Sequence, residues 1–157
     1  MRSAKATPAL LARLVDEDVT ARRAVVAALG EIGDPRAAGR LVQLLGDPAL
    51  QAAALEGLRR MGSAALAEIE RGFAAVPPEA RRLLVDLVQR LDDLRARRLL
   101  LAAVADSDPA VRAEAALAVG EGGLLEAVRH LTDLKTHDPS PVVRRAAAQA
   151  LKKLAPR

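Results

Sequence analysis

Arginine is the residue type in this chain of 157 residues with the clearest capacity for binding chemistry. Its planar guanidinium donates paired hydrogen bonds to carboxylates and phosphates. One series recurs about every thirty residues and is interrupted by Gln51; its members are Arg22, Arg81, Arg112 and Arg144. They lie close in sequence to acidic residues at the preceding turns, namely Asp18, Glu79, Asp108 and Asp138. We interpret the series as a structural arginine ladder between successive turns, with anion binding as the alternative.

A second set of arginines defines a candidate binding face. They belong to the second helix of each predicted repeat and lie opposite its apolar stripe. The set, called the B-helix arginines below, comprises Arg13, Arg36, Arg40, Arg71, Arg95, Arg98 and Arg129. Two carboxylates, Glu68 and Asp133, accompany them, so the predicted face is basic. The residues alone leave two interpretations open: a binding groove, or a solvated surface on which arginine stems cover apolar helix.

Residues suited to catalysis or metal binding are sparse. The chain has no cysteine and two histidines, His130 and His137. With Asp133 these histidines would form a weak metal site, and we favour solvated surface positions for both. The serines precede or open predicted helices, where a hydroxyl caps free amides. We therefore expect a protein that is not an enzyme, with no cofactor and no metal.

An internal repeat predicts the elements that position the arginines. The repeated phrase is clearest from Val111-Arg112 to Gly122-Gly123, and other copies begin near positions 21, 50, 80 and 143. In the clearest copy Val111, Ala115, Ala116 and Val119 form one apolar stripe at helical spacing. A fixed period of about thirty residues indicates stacked supersecondary units, each unable to bury its apolar face alone.

Each unit is predicted to contain two helices, the first an A helix and the second a B helix. Only 1% of residues are aromatic, and the abundance of Ala, Leu and Val favours helix over strand. Asp-Pro pairs supply helix starts, and glycines such as Gly33 and Gly62 supply left-handed ends. The predicted helices span residues 8–15, 19–31, 35–45, 48–60, 63–72, 78–91, 94–104, 109–120, 124–135 and 141–154.

The pattern at 106–120, echoed at 138–151, resembles HEAT repeats in the short bacterial form of phycocyanobilin-lyase-like proteins. The resemblance implies an all-α, right-handed solenoid of stacked antiparallel helix pairs, about ten helices in total. It places A helices on the convex side and B helices on the concave side. We predict one domain over 1–157, with a half-unit at 1–17, full units at about 18–46, 47–77, 78–107 and 108–138, and a terminal helix at 139–157.

The predicted function is a non-enzymatic scaffold or adaptor that holds an acidic segment of another protein in a basic concave face. A net charge of +4 raises the expectation of an acidic partner only slightly. One alternative is a basic solenoid on a nucleic-acid backbone, although single strands usually require aromatic stacking platforms. The other is a chaperone-like subunit of a bilin-lyase-type complex. We also expect no membrane span, a cytoplasmic location, and end-to-end self-association through the first helix.

Overall fold

The computed structural model describes residues 4–15 and 18–155. It contains ten α-helices in this part of the chain and no strand. In chain order they are α1 Thr7–Ala12, α2 Val19–Ile32, α3 Pro35–Leu44, α4 Gln51–Met61, α5 Leu66–Gly72, α6 Pro78–Val88, α7 Leu94–Ala103, α8 Pro109–Glu121, α9 Val128–His137 and α10 Pro141–Leu154. The even-numbered helices are the A helices and the odd-numbered ones the B helices. The all-helical prediction, including the number of helices, is confirmed.

The chain divides into two compact units, Met1–Ala80 and Arg81–Arg157. In the first unit, α2 packs on α4, while α3 packs on α1, α4 and α5. In the second unit, α10 packs on both α8 and α9, and α7 packs on α8. Like helices of successive repeats therefore lie against each other, which buries the apolar stripe that one repeat alone would expose. The predicted repeat boundaries and the right-handed sense stay predictions, and residues 1–3, 16–17 and 156–157 of the terminal half-units lie outside the described part.

Aspartates begin several helices as the sequence predicts. Asp34 accepts a hydrogen bond from the amide of Arg36 at 3.0 Å, and Asp108 accepts from the amide of Ala110 at 2.8 Å. Proline at the first helical position costs nothing there because no amide donor is needed. Gly33 ends α2 at φ 68°, a left-handed conformation that favours glycine.

Three helix starts differ from the prediction by three or more residues. α5 begins at Leu66 rather than 63, after a 3₁₀ segment at Gly62–Ala65. α4 begins at Gln51 rather than 48, because Asp47 first closes a turn by accepting from the amide of Ala49 at 2.9 Å. α9 begins at Val128 rather than 124, after a short 3₁₀ segment at Leu125–Ala127. It also continues through His137, two residues beyond the predicted helix end at 135.

The core consists of the predicted aliphatic positions. Leu29, Leu58, Val88 and Val119 are fully buried, as expected from their shared place in the repeat. Leu151 is only half-buried, because Ala147 and Ala150 take the buried positions of α10. The shared repeat position predicts burial at all five of these residues, namely Leu29, Leu58, Val88, Val119 and Leu151, and that prediction is wrong at Leu151.

Candidate interaction faces

In the first unit, α3 separates an apolar face from a polar one. Ala37, Ala38 and Leu41 are buried, whereas Arg36 and Arg40 are exposed. The stripe has the period of an α-helix, so the arginines project away from the core. Arg40 donates from Nη1 to Oε1 of Gln43 at 3.0 Å, which leaves its charge without a carboxylate. The exposed Arg13 follows α1 in the 3₁₀ turn Arg13–Val15.

Arg36 has a structural role at the start of α3. Its Nη2 lies 2.6 Å from Oδ2 of Asp34, while the Asp34 carboxylate also caps the helix. The side-chain hydrogen bond from Arg36 is the main reason that the pKa of Asp34 lies well below its usual range. The same contact raises the pKa of Arg36. Arg36 is therefore committed to this cap, although its side chain is 61% exposed.

A groove of about 310 Å³ lies beside α3 and α5. Gln43, Glu68 and Arg71 line it, and Arg71 pairs with Glu68. The two helices approach closely at glycines: a Cβ on Gly39 would stand 2.8 Å from Oε2 of Glu68. A side chain at position 39 would therefore have to displace Glu68, so the glycine keeps this part of the face open.

In the second unit, the B-helix arginines are Arg95 and Arg98 on α7 and Arg129 on α9. All three are exposed, and none pairs with a carboxylate among the described residues. Arg98 follows the buried Ala96 by two positions, and Arg129 follows the buried Ala127 by two. These two arginines therefore occupy equivalent places in successive repeats.

The first unit repeats that register. Arg40 follows the buried Ala38 by two positions, and Arg71 follows the buried Ile69 by two. The four arginines therefore occupy equivalent places on their own helices, although Arg71 is paired with Glu68.

The arginine ladder joins successive turns in a way that the sequence did not reveal. Arg81 binds Asp106 through Nε and Nη2, both at 2.9 Å, and Arg112 binds Asp138 at 2.8 and 3.1 Å. Arg22 contacts Asp47 at 3.5 Å. The carboxylates lie 25 or 26 residues after their arginines, not at the neighbouring acids that we expected. The sequence did contain a signal for this pairing, because these aspartates recur with the repeat.

The same ladder arginines also bind backbone carbonyls. Nη1 of Arg112 donates to the carbonyl oxygens of Asp106 and Ser107 at 2.9 and 3.0 Å. Nη1 of Arg144 donates to those of Asp138 and Pro139 at 2.7 and 3.1 Å. Each of these two guanidinium groups thus binds the turn that precedes its own helix. Arg112 also binds the turn of the next repeat through Asp138. The forked geometry of arginine suits this double role.

The Asp138 carboxylate shows the electrostatic consequence. Its side chain is 3% exposed, and burial by itself raises the pKa. Burial is the largest single influence, but the hydrogen bonds from Arg112 and the Ser140 amide and the charges of Arg112 and Arg144 together outweigh it, so the pKa of Asp138 lies below its usual value. The paired, charged form of Asp138 therefore stabilises the fold.

The A and B helices differ in the share of their arginines that pair with a carboxylate. On or directly after A helices, seven of ten arginines pair with carboxylates: Arg22, Arg59, Arg60, Arg81, Arg82, Arg90 and Arg112. On or beside B helices, three of eight do so: Arg36, Arg71 and Arg97. The remaining five, which pair with no carboxylate of the described residues, are Arg13, Arg40, Arg95, Arg98 and Arg129. The uncompensated arginine charge therefore concentrates on B helices.

The histidines do not form a metal site with their neighbours. Nδ1 of His137 lies 3.0 Å from Oδ1 of Asp133, and both side chains are largely exposed. Among residues 4–15 and 18–155, no group of three or more His, Cys, Asp or Glu side chains could hold a metal ion. Within the same ranges, none of the helices combines the length and apolarity of a membrane span.

Comparison with known proteins identifies the fold. A solved structure of human deoxyhypusine hydroxylase, in complex with glycerol, is similar with a TM-score of 0.56 and 22% sequence identity. The match covers 98% of this chain and 75% of that chain. No curated protein matches the sequence. This similarity corrects the expectation that the chain is not an enzyme, because deoxyhypusine hydroxylase is an enzyme with a similar helical fold.

The family is shown by the sequence itself. The model for HEAT repeats matches residues 1–59 and 66–152, which include nearly all of the helices described above. The narrower resemblance to phycocyanobilin-lyase-like forms and the bacterial origin stay predictions. The chain belongs to the HEAT-repeat family.

Proposed function

We propose that this chain is a protein-binding HEAT-repeat scaffold that holds an acidic segment of a partner protein through the B-helix arginines of its second unit, Arg95, Arg98 and Arg129. The observation that supports it is that these three exposed arginines have no carboxylate partner in the described chain. Exposed charge of one sign is not needed for folding, whereas guanidinium groups attract carboxylates.

The strongest part of this face is the pair Arg98 and Arg129. Their equivalent positions place one guanidinium group on each of the successive B helices α7 and α9. An acidic peptide that crosses both helices would bring carboxylates beside both groups. Arg95 adds a third exposed cation on α7. HEAT repeats commonly mediate protein interactions, and we extend that property to this face.

A charge-reversal experiment tests the proposal. The double variant Arg98→Glu/Arg129→Glu should lose at least tenfold in affinity for a fluorescent oligoglutamate peptide measured by anisotropy. The control is Arg59→Glu/Arg90→Glu, which makes the same charge change on exposed side chains on or directly after A helices and should alter affinity by less than about twofold. Equal losses in both variants would show only unspecific attraction and would contradict the proposal.

The salt dependence separates a protein partner from nucleic acid. A peptide held by a few carboxylates gives a shallow log–log slope, whereas duplex DNA gives a steep one through counterion release. Tighter binding of a duplex than of the peptide at about 0.15 M salt would favour the nucleic-acid alternative.

End-to-end self-association through the first helix is a separate proposal, supported by the 83% exposure of Val15.

A further inference from the structure

The A helices of the second unit carry a groove that the B-helix proposal does not use. Two adjoining depressions of about 470 and 650 Å³ lie along α8 and α10 and share Gln149. Ala110 and Val142 line one end, and Glu121 and Lys153 line the other. The two helices therefore run in the same direction, and the groove follows the seam between them.

Small side chains let α8 and α10 approach closely and leave a shallow groove along their seam. Gly120 lies so close to Ala150 that an added Cβ would stand 2.7 Å from the Cα and Cβ of that alanine. Ala110, Ala113 and Ala146 line the outer part, and none is long enough to fill it. Val142 stands at the edge with 53% of its surface exposed. The seam thus offers an apolar floor to a partner side chain.

The rim of the groove carries an excess of positive charge. Its two carboxylates are already paired: Glu114 with Arg82 at 3.7 Å and Glu121 with Lys153 at 2.7 Å. Arg145 and Lys152 line the same groove, are exposed, and have no carboxylate partner in the described chain. A ligand with apolar groups in its centre and carboxylates at its sides would complement both features.

We propose that the groove between α8 and α10 binds an acidic amphipathic helix of a partner protein. From Val142 to Lys153 the groove runs for roughly 17 Å at 1.5 Å per helical residue, which is about three helical turns. A helix lying along two parallel helices can interdigitate its side chains with theirs. Carboxylates on its flanks then reach Arg145 and Lys152. This surface is independent of the B-helix arginines, so either proposal can fail alone.

The test uses the full chain and a designed probe. The probe is a synthetic helical peptide of about four turns, with leucine and alanine on one face and glutamate on both flanks. We expect amide shifts in nuclear magnetic resonance spectra to change along α8 and α10. The double variant Arg145→Glu/Lys152→Glu should weaken binding at least about tenfold, and Ala110→Trp should weaken it by obstructing one end. Circular dichroism melting checks that each variant remains folded.

Two controls decide the result. The matched variant Arg59→Glu/Arg90→Glu, whose arginines lie outside both proposed faces, should change probe affinity by less than about twofold, and a peptide with lysine in place of glutamate should not bind. Shifts confined to other helices, equal losses in both double variants, or no binding at about millimolar peptide would overturn the proposal. A concentration-dependent dimer that Arg145→Glu/Lys152→Glu disrupts would overturn it as well, because the groove would then hold a second copy.

Discussion

Arginines on the A helices and arginines on the B helices perform different tasks within the same repeat. Arg112 is 14% exposed in its side chain and connects two turns through Asp138. Arg98 is exposed and bonds to no carboxylate in the described chain. Residue type therefore says little about role here. What matters is whether the repeat also supplies an aspartate at the position that the guanidinium reaches.

The largest expected effect is the loss of a ladder contact. Arg112→Ala should lower the free energy of unfolding by about 3 kcal/mol, since it leaves the buried Asp138 carboxylate without its main partner. Arg98→Ala, which removes an equally long side chain from a B helix, should cost no more than about 0.5 kcal/mol. Urea unfolding followed by circular dichroism measures both. Similar losses for the two variants would contradict the conclusion that A-helix arginines stabilise the fold more than B-helix arginines do.

A change of pH tests the same contact from the carboxylate side. The pKa of Asp138 is lower in the folded state than in the unfolded chain, so its contribution is fully present above pH values of about 4. It disappears as the pH falls through the folded-state pKa. Asp138→Asn should therefore be less stable than the parent at neutral pH, and the difference should shrink in acid. A difference that stays constant down to about pH 2 would assign the loss to geometry rather than charge.

Arg22 should be the weak member of the ladder. It lies 3.5 Å from Asp47, and its buried Nε has no hydrogen-bond partner among residues 4–15 and 18–155. Arg22→Ala should cost about 1 kcal/mol, because a poorer contact is lost and one unsatisfied donor is removed with it. The measurement is again urea unfolding, compared with Arg112→Ala. A loss as large as that of Arg112→Ala would show that the distance between guanidinium and carboxylate does not determine how much each ladder contact stabilises the fold.

The sequence predicted the helices well because each has local signals. Apolar stripes fixed the buried faces, and Asp34 and Gly33 marked a start and an end that the structure reproduces. It could not predict which aspartate each ladder arginine binds, because Asp138 reaches Arg112 only after the repeats stack. The groove along α8 and α10 was missed for the same reason. Its lining residues are small, unremarkable alanines until two helices bring them together.

The smallest expected effect on stability comes from the B face, and it is the most informative about function. Arg98→Glu/Arg129→Glu should shift the unfolding free energy by no more than about 0.5 kcal/mol, since exposed charges without partners contribute little. If these arginines bind a partner, that variant should lose binding while remaining folded. A clear gain in stability would indicate that the two arginines repel each other or nearby cations in the native protein. Such a strain, kept without a structural benefit, would itself support a binding role.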